Sequence, residues 1–337
     1  MPTATSSTSG SSPCSASRRC LSITAGPAPD SLAGFPALSQ RPATLRTTGG
    51  ETGSFDGELR RGHGVTDSEV PSLGPDSILL TDRVAVVTGA ARGIGAATAV
   101  AMARFGADVA IFDKDPTLLP DVAQEVEAEG RRCVSGVLDA RDDDAVAAFM
   151  QRTHDELGPI DVIVNNAGGT FRARFDDTSP KGEHTLIREN FSTVTNCVRH
   201  GIPLMSDGGA VINVTSVEAY HAAPMFGVYA AMKAAVEQFT KTLALEYGHR
   251  GIRVNCVAPD MMPTPGDSVL AEQASSLMEG LHPTPLRRKG HADECASVIV
   301  FLASDMASFV TGESILVDGG TVAAGSWKTR FDGSFGL

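Results

Sequence analysis

Tyr229 and Lys233 stand four residues apart in the run VYAAMKAA, Val228 to Ala235, where nothing else is polar. On a helix this spacing puts a phenol and an ammonium on one face, one turn apart. A free phenol ionises near pH ~10, too high for efficient proton exchange at neutral pH. A cation within roughly 4–6 Å favours the phenolate, so such a pair can give and take a proton at a substrate oxygen. Most Tyr–Lys pairs at this spacing are surface decoration. The chemical reading therefore depends on what the rest of the chain supplies.

A second candidate lies upstream. Thr88 to Gly95 read TGAARGIG, with Gly89, Gly93 and Gly95 between a β-branched run and a helical one. This G-x-x-x-G-x-G pattern is not the common G-x-G-x-x-G fingerprint. The physics is shared: glycines let the backbone turn sharply at a strand end and approach a pyrophosphate, whose charge sits at the positive end of the next helix. Asp113 ends the next apolar run, 24 residues beyond Gly89. A carboxylate there accepts from both hydroxyls of an adenosine ribose and repels a 2′-phosphate, which favours NAD over NADP. Arg92 and Lys114 stand close by and are able to balance an extra phosphate, so NADP stays possible.

The elements that must position these residues follow from periodicity. Short β-branched runs (RVAVVT, DVAIFD, RCVSGVLD, IDVIVNN, AVINVTS, IRVNCVAP, SILVDGG) alternate with longer helical stretches from about Ile78 onward. One of these, TLIRENFSTVTNCVRHGIPLM, reads as a single long helix. Near-continuous apolar strands suit a parallel sheet covered on both faces. The pattern predicts one α/β domain, a Rossmann-type doubly wound parallel sheet of seven strands, over residues 78–320.

Composition narrows the function. The chain has 337 residues, 42% apolar and 20% charged, with a formal net charge of −12. That acidity argues against a nucleic-acid partner held by its phosphates. No apolar run approaches the length of a membrane helix. The six cysteines show no CxxC and no zinc-like spacing, so they read as free thiols in a reducing compartment, with no metal site implied. Residues 1–77 are Ser/Thr/Pro/Gly-rich and lack periodicity, and are expected to be disordered. Their arginines, nearly unopposed by acids over the first fifty residues, suit an organelle transit peptide. The preferred alternative is a leader translated from too early a start, although no Met lies between Met1 and Met102.

With TGAARGIG, NNAG and YAAMK in this order, the chain resembles the short-chain dehydrogenase/reductase family over about Ile78 to Gly320. The resemblance implies a cytoplasmic oxidoreductase, assembled as a homotetramer or homodimer, that interconverts a secondary alcohol and a ketone. Gly89, Arg92, Gly93, Ile94 and Gly95 would hold the cofactor pyrophosphate. Asn166, Ala167 and Gly168 of NNAG would lie against the adenine ribose, and Asp139 against adenine. Tyr229 would be the acid/base and Lys233 its activator, both also touching the nicotinamide ribose. Ser216, 13 residues before Tyr229 in VINVTS, would donate to the substrate oxygen, and Asn190 would anchor proton resupply.

The family usually places Pro-Gly and then a threonine beyond the sixth strand, near the nicotinamide. Here VAPDMMPTPG keeps Pro259, puts Asp260 at the glycine and brings Thr264 to the threonine position. Asp tolerates a left-handed backbone, so the turn is expected to survive, with Asp260 facing solvent or, alternatively, reading a polar substrate. Glu218, two residues beyond Ser216, is unexpected for the family and has the same two readings, with Tyr220 and His221 bordering the cleft. Met261, Met262, Leu270, Leu277 and Met278 suggest an apolar lid, with Phe171 and Phe175 adding to its wall. Such a wall suits a 3-oxoacyl thioester, a steroid or terpenoid alcohol, or a cyclic alcohol. The tail 321–337, with Trp327 and Phe331, reads as a docking segment at a subunit interface in preference to a frayed end. The rival to an enzyme is a non-catalytic NAD-binding sensor or scaffold, which would have no use for Tyr229. A sugar epimerase is set aside because its TGxxGxxG turn is missing.

Overall fold

The computed structural model describes residues 72–263 and 280–336. Strands β1 (Val84–Thr88), β2 (Asp108–Asp113), β3 (Cys133–Val137), β4 (Ile160–Asn165), β5 (Met205–Val214), β6 (Arg253–Pro259) and β7 (Ser314–Val317) form one sheet in the order β3-β2-β1-β4-β5-β6-β7. Every adjacent pair is parallel. This is the seven-stranded doubly wound sheet that the alternating pattern predicts.

Burial on both faces explains why the strands read as unbroken apolar runs. Along β1, Ala85 and Val87 pack into one core with α1 (Gly93–Arg104), α2 (Leu119–Ala128) and α7 (Ala292–Ala303). Val84 and Val86 point the other way, into a second core with α3 (Asp143–Leu157), α5 (Thr193–Gly201) and α6 (Gly227–Tyr247). Each fully buried Val, Leu or Ile contributes about 1.5–3 kcal/mol relative to exposure. Arg253 on β6 ties α7 to the sheet, its guanidinium donating to the carbonyls of Leu302 (2.6 Å) and Ser304 (3.2 Å) at the helix end. The cysteines among the described residues are free thiols, and burial pushes those of Cys133, Cys197 and Cys295 up to about 12.

The stretch read as one long helix is broken. α4 (Pro180–Ile187) and α5 are joined by a π turn, Arg188–Ser192, with Asn190 buried inside it. Periodicity cannot register a single inserted residue, and such turns collect at functional sites. After β7 the chain forms a short helical turn (Thr321–Ala324) and a two-stranded hairpin, β8 (Lys328–Thr329) with β9 (Phe335–Gly336). Arg330 bridges to Leu281, and the Phe331 ring meets His282 edge-on at 5.0 Å. Trp327 and Phe331 stay more than half exposed, at 54% and 64%.

The site is positioned at the carboxyl ends of β1 and β4, where strand order reverses. Here the Thr88 hydroxyl accepts from the N–H groups of Asn166 (3.0 Å) and Ala167 (2.9 Å), and Asn166 Nδ2 donates to the carbonyls of Thr88 and Gly89, both at 3.0 Å. Asn166 thus clamps the glycine turn to the neighbouring strand. The next strand pair is tied by Asn165 donating to Asn213 (2.7 Å), which donates to Thr240 on α6 (2.7 Å).

This clamp leaves no room for a side chain. A Cβ added to Gly95 would fall 2.2 Å from the Gly89 carbonyl oxygen and 2.6 Å from Asn166 Nδ2. Gly95→Ala is expected to lower stability by about 1–3 kcal/mol through overpacking and to weaken NADH binding in the same preparation. Gly248→Ala, at an open position with φ −58°, is the contrasting case. It should leave binding unchanged and gain about 0.4–1 kcal/mol. Denaturant unfolding and NADH fluorescence titration check both.

Candidate active site

The carboxyl ends of β1, β2, β4, β5 and β6 surround a cavity of about 830 Å³. Its volume lies within the range of cofactor and ligand sites, roughly 300–1,000 Å³. Gly89, Arg92, Gly93, Ile94, Asp113, Asp139, Asn166, Ala167, Gly168 and Pro259 line it, together with Asn190, Ser216, Tyr229 and Lys233. Gly95 lies buried beneath the turn, and Thr264, with Leu270, Leu277 and Met278, falls outside the described residues.

The end nearest β1 fits a dinucleotide. Gly89 has φ +64° and Gly93 φ +58°, left-handed conformations that curl the chain under the start of α1. The first backbone N–H groups of α1 have no intrahelical acceptor, and the capping residue, Arg92, offers no side-chain hydrogen bond to them. They are donors available to an anion such as a pyrophosphate. The Asp113 carboxylate is oriented by the backbone N–H groups of Ala91 (3.0 Å) and Asp115 (2.9 Å), so it stands fixed at the cavity edge. Arg92 is ion-paired with Asp115, and Lys114 lies 3.7 Å from the Glu189 carboxylate.

Two residues that the sequence did not single out complete this end. The Arg141 guanidinium grips Asp139 through Nε (2.9 Å) and Nη2 (2.5 Å) and donates from Nη1 to Glu189 (3.0 Å). Chiefly through the Arg141 hydrogen bond, the Asp139 carboxyl is held below the usual carboxylate range. Glu189 faces Lys114 as well, so these charges form one network around the far end of the cavity. Arg141 sits only two residues beyond Asp139, but nothing in the local pattern marks Glu189 as its partner.

At the other end, Ser216 leaves β5 as the cap of a short 3-10 turn, Val217–Ala219, and is buried. Lys233 is buried on α6; its ammonium donates to the Val214 carbonyl at the end of β5 (2.9 Å) and stands 5.5 Å from the centroid of the Tyr229 ring. Burial brings its pKa down to about 8, while Cys256, Glu218 and Glu237 act in the opposite direction. Asn190 donates from Nδ2 to the carbonyls of Gly169 (2.8 Å) and Leu186 (2.9 Å). Gly168 lies between it and Lys233: a Cβ there would fall 3.0 Å from Asn190 Oδ1 and 3.5 Å from Lys233 Nζ.

The substrate end differs from expectation in several places. Asp260 does not face solvent. It lines the cavity, half-buried beside Thr321, and burial, then the nearby charge of Glu218, raises its carboxyl pKa. The left-handed residue of this turn is Met261, φ +50°, not Asp260. Phe171 and Phe175 are 39% and 71% exposed and lie outside the cavity wall; Pro224 and Phe226 take that place beside Met261 and Met262. Tyr220 and His221 do not line the cavity either, and the Tyr220 hydroxyl turns instead to Ser314 and Glu237. Glu218 does line it, and its carboxylate accepts the hydrogen bond of the Ser216 hydroxyl.

Among the described residues no helix is long and apolar enough to cross a membrane, and no group of three or more His, Cys, Asp or Glu is placed to hold a metal.

Comparison with known proteins gives the family. The family described as enoyl-(acyl carrier protein) reductase matches residues 89–322. The chain is 39% identical over 245 residues to cis-4-hydroxycyclohexanecarboxylate dehydrogenase of Sinomonas cyclohexanicum, covering 72% of this chain and 97% of that one. Gluconate 5-dehydrogenase from Burkholderia cenocepacia J2315, solved in complex with NADP and tartrate, matches with a TM-score of 0.70 at 33% identity, over 74% of this chain and 98% of its own. A short chain dehydrogenase from Mycobacterium paratuberculosis, bound to NAD, matches with a TM-score of 0.67 at 33% identity, over 72% and 99%. The chain belongs to the short-chain dehydrogenase/reductase family, NAD(P)-binding oxidoreductases that act on alcohols and ketones.

Proposed function

We propose that the protein is an NAD(H)-dependent dehydrogenase that interconverts a secondary alcohol and a ketone on a substrate of largely apolar body. The observation that carries this reading is the buried Lys233 ammonium against the Tyr229 ring, on the wall of the cavity that Ser216 also faces. A nicotinamide bound in the cavity would supply or accept the hydride. Tyr229 exchanges the proton at the substrate oxygen, and the adjacent ammonium favours its phenolate form. Ser216 donates a hydrogen bond where negative charge grows on that oxygen. Asn190, held in the π turn beside Gly168 and Gly169, anchors the route that returns protons to Lys233.

NAD is favoured over NADP because Asp113 is fixed at the ribose end while Arg92 and Lys114 are both engaged by acids. The wall of Pro224, Phe226, Met261 and Met262 suits an acyl thioester, a steroid or terpenoid alcohol, or a cyclic alcohol. The relative whose name specifies a hydroxycyclohexane favours the cyclic class. We place the enzyme in the cytoplasm as a homotetramer or homodimer, with the 321–337 segment contributing to a subunit contact through Trp327.

Tyr229→Phe should lower turnover by at least about a hundredfold, the scale of acid–base catalysis, while NADH affinity stays within a few-fold. Steady-state kinetics on ketones of these three classes, paired with NADH titration, reads both quantities. Unchanged turnover would show that Tyr229 is not the acid/base, whereas NADH binding with no turnover of any ketone by either protein would favour the sensor reading. Asp113→Ser should narrow the preference for NADH over NADPH, and unchanged discrimination would show that Asp113 does not meet the ribose.

The buried ammonium also predicts a pH dependence. Between the folded pKa of about 8 and the ordinary 10.5, the unfolded chain binds a proton that the folded one lacks, so stability rises with pH across that window. Relative to Lys233→Met, the wild type should gain on the order of 3 kcal/mol from pH 8 to 10.5. Denaturant unfolding of both proteins at each pH checks this; a constant difference would mean that Lys233 is not buried as a cation.

A further inference from the structure

Ser216 has one hydroxyl proton to give, and in this structure it goes to the carboxylate of Glu218. The Glu218 backbone N–H donates back to Ser216 Oγ at 3.3 Å, so the serine and the glutamate form a closed local unit at the start of the Val217–Ala219 turn. The reaction proposed above requires that same proton on the substrate oxygen. A substrate must therefore take Ser216 away from Glu218, and the half-buried carboxylate is then left needing a donor.

Among the described residues no ion-pair partner supplies one. None of the ion pairs among the described residues involves Glu218. The charged groups coupled to Glu218 include Asp260, whose proton affinity is raised partly by Glu218, and Lys233, whose ammonium donates to the Val214 carbonyl. Pro224, Phe226, Met261 and Met262 form an apolar stretch of the wall, and the Arg172 and Lys289 side chains that also line the cavity make no ion pair with Glu218. A substrate hydroxyl placed next to the reacting oxygen would supply that donor.

Hydrogen-bond geometry says where on the substrate it sits. With the Ser216 proton on the reacting oxygen, the Glu218 backbone N–H (3.3 Å) still holds Ser216 Oγ, so the Glu218 carboxylate stays beside the serine without a hydrogen bond from it. A hydroxyl on the neighbouring carbon lies roughly one hydrogen-bond length from the reacting oxygen, on the side where the released carboxylate stands, and donates to it.

We propose that Glu218 is a specificity-determining residue that selects substrates bearing a hydroxyl on the carbon next to the reacting one, a vicinal diol in the oxidative direction and an α-hydroxy ketone in the reductive. The assignment rests on the dehydrogenase reading above. In oxidation the reacting carbon loses its hydride to the oxidised nicotinamide and its oxygen loses its proton to Tyr229. The neighbouring hydroxyl keeps its proton and donates it to Glu218, so only one carbon changes oxidation state. An ammonium in place of that hydroxyl is disfavoured, because Lys233, Lys289 and Arg172 already bring positive charge to the cavity.

The experiment uses the full-length protein with NAD and alcohols matched except for the second hydroxyl: cyclohexanol against the 1,2-cyclohexanediols, and 2-butanol against the 2,3-butanediols. Wild type should favour the diol in each turned-over pair by at least about tenfold in kcat/KM, the scale of leaving one buried polar group unpaired. Glu218→Ala should bring that ratio to within about twofold of unity, with turnover of the simple alcohol rising as Ser216 is freed. Glu218→Gln keeps an acceptor oxygen and should fall between the two. NADH affinity within a few-fold of wild type shows that the variants are folded.

A diol preference that survives in Glu218→Ala would overturn the assignment. So would a proportional fall for both alcohols, which marks a merely structural residue, or a stronger preference for 2-aminocyclohexanol than for the diols. Turnover of no pair by the NADH-binding wild type would instead overturn the dehydrogenase reading for these substrates, and the Glu218 assignment with it.

Discussion

A lysine ammonium removed from water has to be compensated on every side, and Lys233 shows how much of the structure that requirement organises. The side chain is buried, and burial alone drives its pKa well below the ordinary value. One compensation is the Val214 carbonyl, which is free to accept because β5 ends there and its next residues turn away into the Val217–Ala219 loop. Another is the face of the Tyr229 ring, whose quadrupole favours a nearby cation. A third is the field of Glu218 and Glu237, neither of them paired directly with it. The ammonium stays a cation whose charge is felt mainly by groups facing the cavity.

The sheet matters because it brings these compensations to one end. In a parallel sheet all strands deliver their carboxyl termini to the same edge, and at the reversal between β1 and β4 the helices diverge to opposite faces. The gap so formed would collapse without fixed walls. Asn166 supplies one, by accepting no substitute geometry between Thr88 and Gly89, and the Asn165–Asn213–Thr240 chain supplies another beneath it. The side-chain amide donors of Asn165, Asn166 and Asn213 all have partners, which rigidifies the walls, while Asn165 Oδ1 is buried without one. The same economy appears at the adenine end, where Arg92, Lys114 and Arg141 each meet an acid and little uncompensated positive charge remains to attract an extra phosphate.

How far the sequence reaches into this arrangement depends on whether a feature is local. Strand runs, the glycine turn and the Tyr–Lys spacing are local, so the fold and most of the wall around the cavity are readable in order along the chain. Asn190 is readable only as a position; the π turn that buries it inserts one residue into a helical period, which no pattern of apolar spacing resolves. Glu189 pairs with Arg141 across 48 residues, and nothing near either one announces the other. Phe171 and Phe175 show the opposite failure. They are large and apolar just after a motif that lines the site, yet the chain carries them past the cavity mouth, and Pro224 and Phe226 take the wall from the far side of the cleft. Identity and proximity in sequence say less about a side chain's direction than the loop that carries it.

Asp260 extends that point into the chemistry of the site. The positive φ of this turn lies at Met261, one residue beyond Asp260. A left-handed conformation at a non-glycine residue costs about 1–3 kcal/mol and persists only where surrounding structure fixes it. Here the Gly290 N–H donates to the Met261 carbonyl at 3.1 Å, and Asp260 N–H donates to Val317 at 3.2 Å. The result is that Asp260 keeps its carboxyl on the cavity wall while Met261 and Met262 follow it as apolar cover. Two acids, Glu218 and Asp260, therefore face a space whose wall also carries the apolar Pro224, Phe226, Met261 and Met262. A wall of that kind rejects a wholly apolar ligand at one spot and a wholly polar one everywhere else, which is the physical basis for recognising an apolar body by a single polar neighbour of its reacting carbon.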